Sequence, residues 1–340
     1  MSRLSFFSVF LLLTSCTTIP PTQVNIPPIN TNTLAPPTAT SAPPTSTPLP
    51  PTATNLPPTL TNTPEPPTAT RGIVQTLTGN DGMTLLYVPA GEFTMGSDAD
   101  DTLAECQKFR SDCQRGGFTD EEPLHSVHVD DFWIDQTEVT NAMYAKCVAD
   151  GICKEPTDKW SYSHPSYYDN PEFDRYPVIF VDWNMAKTYC EWAGRRLLTE
   201  AEWEKAARGE NASVYPWGDT FDGSLVNFCD TNCTFDDGNK SFNDGFADVA
   251  PVGSYPSGKS VYGALDMAGN VWEWVADWYG ARFYSNSPFS NPLGPASGQY
   301  RVLRGGSWYS NINFVRSADR LGHPPTNSDF FIGFRCSRSL

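Results

Sequence analysis

Reaction motifs are scarce in this chain of 340 residues. It has no Cys-x-x-Cys pair, which weakens zinc-ribbon and thioredoxin-like readings of its nine cysteines. No Gly-x-Ser-x-Gly elbow, P-loop or Gly-x-Gly-x-x-Gly turn occurs, so hydrolase, nucleotide and dinucleotide readings lack a motif. Histidine is rare: His125, His128, His164 and His323 are too scattered for a triad, and structural roles are expected of them. Positive charge is also short, with 23 Lys and Arg against 39 Asp and Glu and a net charge of −16. That balance argues against nucleic acid and anionic lipid as partners and leaves carboxylates for hard cations. No apolar run is long enough to cross a bilayer as a helix.

What is present begins at the N-terminus, where Arg3 precedes an apolar run of about ten residues and then small residues before Cys16. Residues 1–15 read as a secretory signal, and the ending Leu13-Thr-Ser-Cys16 resembles the lipobox of bacterial lipoproteins. The expectation is an exported domain outside the cytoplasm, lipid-anchored to the cell membrane through Cys16; ordinary secretion is the alternative. Removal of residues 1–15 deletes Arg3 alone among charged side chains, leaving 22 cations against 39 acids, net −17. Residues 16–71 are rich in Pro and Thr, with Glu65 as the single acid. Such a segment cannot bury apolar surface and reads as an extended stalk of polyproline character. Its reach is at most roughly 170 Å.

Residues 72–340 show no internal linker or repeat and read as one domain. With Cys16 lipidated, eight cysteines remain, an even number that suggests disulfides in an exported chain. The spacings Cys106 to Cys113, Cys147 to Cys153 and Cys229 to Cys233 suit local pairs and would leave Cys190 with Cys336, although eight cysteines permit 105 pairings. Leu85 to Gly96 reads as two short strands around Pro89-Ala-Gly91, and His128 to Asp135 as another strand. Helices are expected from Thr140 to Gly151, from Asn184 to Gly194 with Ala186, Tyr189, Cys190 and Ala193 on one face, and from Thr199 to Gly209 behind a Thr-x-x-Glu capping box. Glu200, Glu202 and Glu204 are expected to cap that helix and complement its dipole. Tyr215 to Gly263 is loop-rich, so the whole is a mixture of α and β with short elements.

Two stretches offer oxygen sets. Asp266 and Glu273 flank a glycine turn with backbone carbonyls between them, and calcium takes six to eight such oxygens. The Asn227-Phe228 turn together with Asp244-Gly-Phe246 makes a second set. Solvated acids with Trp272 and Trp274 as plain core is the competing reading.

Read together, a series of motifs in order resembles the sulfatase-modifying factor family, the domain of formylglycine-generating enzymes. They are Val88-Pro-Ala-Gly-Glu-Phe-Thr-Met-Gly-Ser97, Glu138-Val-Thr-Asn141 with Tyr144, Val181-Asp-Trp-Asn184 and the run from Tyr189 to Gly209. Tyr215-Pro-Trp-Gly-Asp219, Gly269-Asn-Val-Trp-Glu-Trp274, Arg304-Gly-Gly-Ser-Trp308 and Gly333-Phe-Arg335 complete the series. The resemblance implies an irregular α+β fold of C-type-lectin-like kind with little regular secondary structure. It implies two calcium ions, one held by Asn227, Phe228, Asp244 and Phe246, the other by Asp266, Gly269, Val271 and Glu273; it also implies the Cys190–Cys336 disulfide.

The chain departs from the family where formylglycine-generating enzymes carry two cysteines whose thiolates hold copper(I). The first position falls at Ser310 and the second within Asn311-Ile-Asn-Phe-Val315, and neither holds sulfur. A hydroxyl is a hard donor and cannot replace a thiolate, so copper is not expected. A second family disulfide is missing at both ends, Ala207 and Ser317. The expectation is a non-catalytic binding or accessory domain with a groove of Trp272, Ser307, Trp308, Ser310, Arg316 and Arg320, suited to a cell-surface peptide, glycan or protein. The alternatives are an oxygen-dependent oxidoreductase with an altered site and an assembly partner of another exported enzyme.

Overall fold

The computed structural model describes residues 75–233 and 238–340. The chain divides into two units, Met1–Thr68 and Ala69–Leu340. Residues 1–15, expected to be a secretory signal, Cys16 and the Pro/Thr segment lie outside the described residues.

In the second unit a strand β1 (Thr76–Thr78) precedes the two expected around Pro89-Ala-Gly91, β2 (Thr84–Val88) and β3 (Gly91–Met95). An acid-rich run then hides a helix that the sequence reading lacks, α1 (Ala99–Cys106), capped by Asp98 accepting from the amides of Asp100 and Asp101. The single strand expected from His128 to Asp135 is two, β4 (His125–Val129) and β5 (Phe132–Asp135). Its buried apolar positions switch from odd (Val127, Val129) to even (Phe132, Ile134) across Asp130-Asp131. One flat strand cannot turn both sets inward, so the chain breaks there and enters different sheets.

The three expected helices form close to their signals. Thr140 caps α2 (Asn141–Ala149), and Asp182 caps α3 (Trp183–Trp192). After β6 (Arg196–Leu197), the reciprocal Thr199–Glu202 capping box opens α4 (Glu200–Arg208), which stops at Gly209 in a left-handed conformation, φ +70°. The stretch from Tyr215 to Gly263 is irregular, as its composition implied: its described residues hold one 3-10 turn and isolated bridges. β7 (Trp272–Trp278), β8 (Arg301–Arg304), β9 (Arg320–His323), β10 (Ile332–Gly333) and β11 (Cys336–Ser339) follow.

Two main sheets result, ordered β1-β2-β5-β11-β6 and β10-β7-β8-β9, with β3–β4 as a separate ribbon. All four expected disulfides are present, and Cys190–Cys336 fixes α3 to β11 beside Tyr144, Tyr189 and Phe334 in the core. Helix α4 is buried along its whole length, charges included. Glu202 has the capping role expected of it and pairs with Arg196. Glu200 and Glu204 do not: Arg320 grips Glu200 through two bonds of 2.8 and 2.7 Å, while Arg304 and Arg208 meet Glu204 at 2.5 and 2.9 Å. Buried carboxylates require such partners, because desolvation of an unpaired charge costs several kcal/mol.

Candidate functional site

The two loops expected to bind calcium lie side by side. Asn270 donates its amide to the carbonyl of Asn227 at 2.9 Å. A Cβ on Gly269 would stand 2.1 Å from that same carbonyl, so glycine is required where the loops touch. Asn227 is buried; its Nδ2 donates to the Asp248 carbonyl at 2.9 Å and to Asn270 Oδ1 at 3.1 Å, while its Oδ1 has no donor among the described residues. Asp244 accepts the amides of Phe228 and Phe246 at 3.0 and 2.9 Å. Burial, with Asp230 adding to it, pushes the Asp244 carboxyl up to about 7.

In the second loop Asp266 and Asn270 both adopt left-handed backbone, φ +54° and +61°. Asp266 accepts the Gly253 amide at 2.6 Å. Glu273 is already engaged: Arg335 bonds its two oxygens at 2.6 and 2.7 Å, and Trp203 Nε1 adds a third bond at 2.8 Å. Glu138, which the sequence reading placed within a motif but did not nominate, accepts from Asn270 Nδ2 at 2.9 Å, and its Oε2 finds no donor among the described residues. Burial, then the charges of Asp266 and Glu273, push its carboxyl well above the usual range. No group of three or more His, Cys, Asp or Glu side chains is arranged to hold a metal among the described residues. The oxygens of the two loops are carboxylate, amide and carbonyl, hard donors of the kind calcium takes and soft ions do not. Two of them, Asn227 Oδ1 and Glu138 Oε2, are buried acceptors with no donor among the described residues.

The residues nominated for a groove are interior. Arg316 is held by Glu121 through bonds of 2.8 and 2.6 Å, Arg320 by Glu200, and both are buried. Each guanidinium is committed to a carboxylate. Trp272 packs in the core, and its amide pairs with the Phe331 carbonyl in the parallel β7–β10 contact. Ser310 closes a turn: its hydroxyl accepts the Ser307 amide at 3.1 Å and lies 3.3 Å from the Ser307 hydroxyl. Residues Ile312–Val315 form a 3-10 turn that buries Ile312 and Val315 against Tyr215 and Phe228. Ile312 and Val315 thus occupy the interior side of this segment, and Cys106, Cys113, Cys147, Cys153, Cys190, Cys229, Cys233 and Cys336 are all disulfide-bonded.

An exposed aromatic face lies over the buried Trp308 instead. Tyr162 stands 5.4 Å from the Trp308 ring, and Phe330 lies 5.8 Å from each of Trp308, Trp160 and Tyr309. Trp160, Tyr162 and Tyr309 are 38 to 40% exposed, high for such side chains in a folded domain. The loop carrying Trp160 and Tyr162 is tied to Asp248, whose Oδ2 accepts from Ser161 Oγ at 2.7 Å and from the Ser163 amide at 2.8 Å. Trp308 donates its amide to the Asn270 carbonyl at 2.9 Å. Both halves of the face are therefore fixed to the junction of Asn227, Asp248 and Asn270. The density of rings in Trp160-Ser-Tyr-Ser-His-Pro-Ser-Tyr-Tyr168 is the one local signal that could have marked it.

Residues 71–340 match the family model described as the sulfatase-modifying factor enzyme 1-like domain. A formylglycine-generating enzyme of Streptomyces coelicolor is 34% identical over 315 residues, covering 80% of this chain and 90% of that enzyme. An inactive Cα-formylglycine-generating enzyme 2 of Bos taurus is 30% identical over 295 residues, covering 74% and 87%. PvdO from Pseudomonas aeruginosa superposes with a TM-score of 0.60 at 27% identity, covering 78% of this chain and 98% of PvdO. The motifs carried from Val88 to Arg335, the irregular α+β architecture and these matches agree: the chain belongs to the sulfatase-modifying factor family.

Proposed function

We propose that this chain is a calcium-braced binding or accessory module of its family, not an oxidase of cysteine residues. The observation that carries the reading is the Ser307–Ser310 turn, with hydroxyls 3.3 Å apart, where the family's copper thiolates begin. Hydroxyls do not ionise near neutral pH and do not hold copper(I). The ligand is a peptide or glycan, and its platform is the aromatic face of Trp160, Tyr162, Tyr309 and Phe330, not the buried arginines. Rings of this kind offer large apolar area at little conformational cost. Calcium at the two adjoining loops would brace the Asn227–Asn270 junction beneath that face, with carboxylate, amide and carbonyl oxygens as ligands. Export and lipidation at Cys16 would present the domain at the cell surface.

An oxidoreductase with an altered site is the second reading, favoured by the 34% identity to a formylglycine-generating enzyme. The test supplies the chain with calcium, copper(I), oxygen and a sulfatase-type cysteine peptide, and follows the peptide by mass spectrometry. An unchanged peptide mass is expected, together with retention of peptides or glycans from an array that is lost on Trp160→Ala and Tyr309→Ala. Conversion of the cysteine to an aldehyde would overturn the binding-module reading.

A further inference from the structure

Arg195, Arg304, Arg316, Arg320 and Arg335 are each paired with a carboxylate in the interior. Arg301, half-buried on β8, is held differently: its guanidinium lies between two indoles, 3.8 Å from the Trp183 ring centre and 3.6 Å from that of Trp278. A delocalised, weakly hydrated cation stacks well on such faces, and the stack fixes its orientation. Both indoles are fixed in turn. Trp183, the first residue of α3, donates Nε1 to the Val275 carbonyl at 2.8 Å. Trp278, the last of β7, is the cross-strand partner of Arg301, and a Cβ on Gly298 would stand 3.3 Å from its ring. Nη1 of Arg301 is spent on the Ala276 carbonyl at 2.5 Å, its one hydrogen bond among the described residues. Nε is buried with no acceptor. Across the β8–β9 pairing Arg301 faces His323, whose Nε2 is also buried without a partner. Cross-strand partners set their Cβ atoms on the order of 5 Å apart, so both side chains rise from one spot on one face of the sheet. Asp277 acts on Arg301, but burial pushes its carboxyl up to about 8, so near neutrality it is mostly protonated and leaves the cation uncompensated. Burial also pulls the His323 imidazole below its ordinary value, so it is neutral there. A buried donor left unmet costs about 1–3 kcal/mol, which calls for an acceptor at this place.

We propose that Arg301 and His323 form a binding site for the carboxylate of a ligand, which accepts hydrogen bonds from the Nε–Nη2 edge of Arg301 and from His323 Nε2. That edge is one of the guanidinium forks that match the two oxygens of a carboxylate. One guanidinium beside a neutral imidazole supplies a single positive charge, which balances a carboxylate monoanion and not a phosphate dianion, in a chain whose net charge is −16. Trp183 and Trp278 are positioning residues: they hold the fork open and offer apolar surface to the carbon frame of the ligand. The site uses no residue of the aromatic face over Trp308 or of the two calcium loops, so it stands or falls apart from them.

The experiment titrates the full chain with acetate, glucuronate, N-acetyl-dialanine and inorganic phosphate at constant ionic strength, and follows the indole N–H signals of Trp183 and Trp278 and the Nε–H signal of Arg301 by NMR. Saturable shifts of these signals with the carboxylates, and weaker binding of phosphate, are expected. Tighter binding of glucuronate than of acetate and the peptide supports the site and marks its ligand as a sugar acid; tighter binding of N-acetyl-dialanine supports it and marks a peptide C-terminus. Arg301→Lys keeps the charge, loses the fork, and is expected to weaken the carboxylate by about tenfold, read from the indole signals. His323→Phe leaves the Arg301 stack in place and is expected to weaken it as well, so the test survives if the lysine variant does not fold. A wild type whose signals show no saturable shift would mean that water meets the unpaired nitrogens and that the stack is structural, which overturns the site. Affinity unchanged in both folded variants would place the carboxylate elsewhere and overturn it too, and phosphate binding as tight as the carboxylates would overturn the ligand class.

Discussion

Asp277 shows how far a single side chain can depart from what its letter suggests. It sits beneath the start of α4 and accepts the Glu200 amide at 2.8 Å. Burial, with the charge of Glu200 next in size, pushes its carboxyl up to about 8. Unfolded, it titrates near the ordinary value of about 3.9. Between these values the folded state keeps a proton that the unfolded state has released, so the contribution is complete below the unfolded value and is lost as pH rises through the folded one. Asp277→Asn keeps an oxygen for the Glu200 amide and cannot ionise. Its unfolding free energy in urea is therefore expected to fall less steeply than that of the wild type between pH 5 and 8; parallel profiles would refute the role. The same contrast separates what was legible at residue scale. Ser310 could be read, because a missing sulfur is visible in the letters. Arg316 and Arg320 could not, because Glu121 and Glu200, which bury them, lie far away in the chain.

Elements that carry their own signals appear where those signals stand. Thr140, Asp182 and the Thr199–Glu202 box each satisfy amides at a helix start, a local transaction that needs no distant partner. The break between β4 and β5 was written in the parity of Val129 and Phe132, but its meaning depends on two sheets that sequence alone does not supply. The loops at Asn227 and Gly269 depend on each other in the same way. With φ +73° and a Cβ position 2.1 Å from the Asn227 carbonyl, Gly269 has no room for a side chain. Gly269→Ala is expected to cost about 2–4 kcal/mol in urea unfolding, because strain at a left-handed position adds to the forced separation of the loops. It should also weaken calcium binding, since both oxygen sets share that junction. A loss below about 0.5 kcal/mol, the range of a neutral surface change, would show that the loops are not clamped together.

For the domain as a whole, the Cys190–Cys336 bridge joins residues 146 positions apart. Both ends are fully buried beside stacked Tyr144 and Tyr189. In the chain-entropy model such a loop constrains the unfolded state by roughly 5 kcal/mol. Replacing both cysteines by alanine is expected to lower stability by about 2–5 kcal/mol, read as a drop in the denaturant midpoint with a steeper slope, because the unfolded chain without the bridge exposes more surface. An unchanged midpoint would mean that the α3–β11 packing holds the domain without the bridge. The sequence by itself pointed to three local cysteine pairs by their spacing, to the three helices, to the irregular stretch from Tyr215 to Gly263, and to the absence of sulfur at Ser310. These follow from composition, spacing and interactions within a few residues. Only the tertiary structure decided that the nominated arginines are interior, that an aromatic face stands over Trp308, and that Glu138 meets Asn270. Such facts depend on which distant segments share a desolvated space: burial turns a charged side chain into a bound partner or an unmet demand, and no local pattern records which.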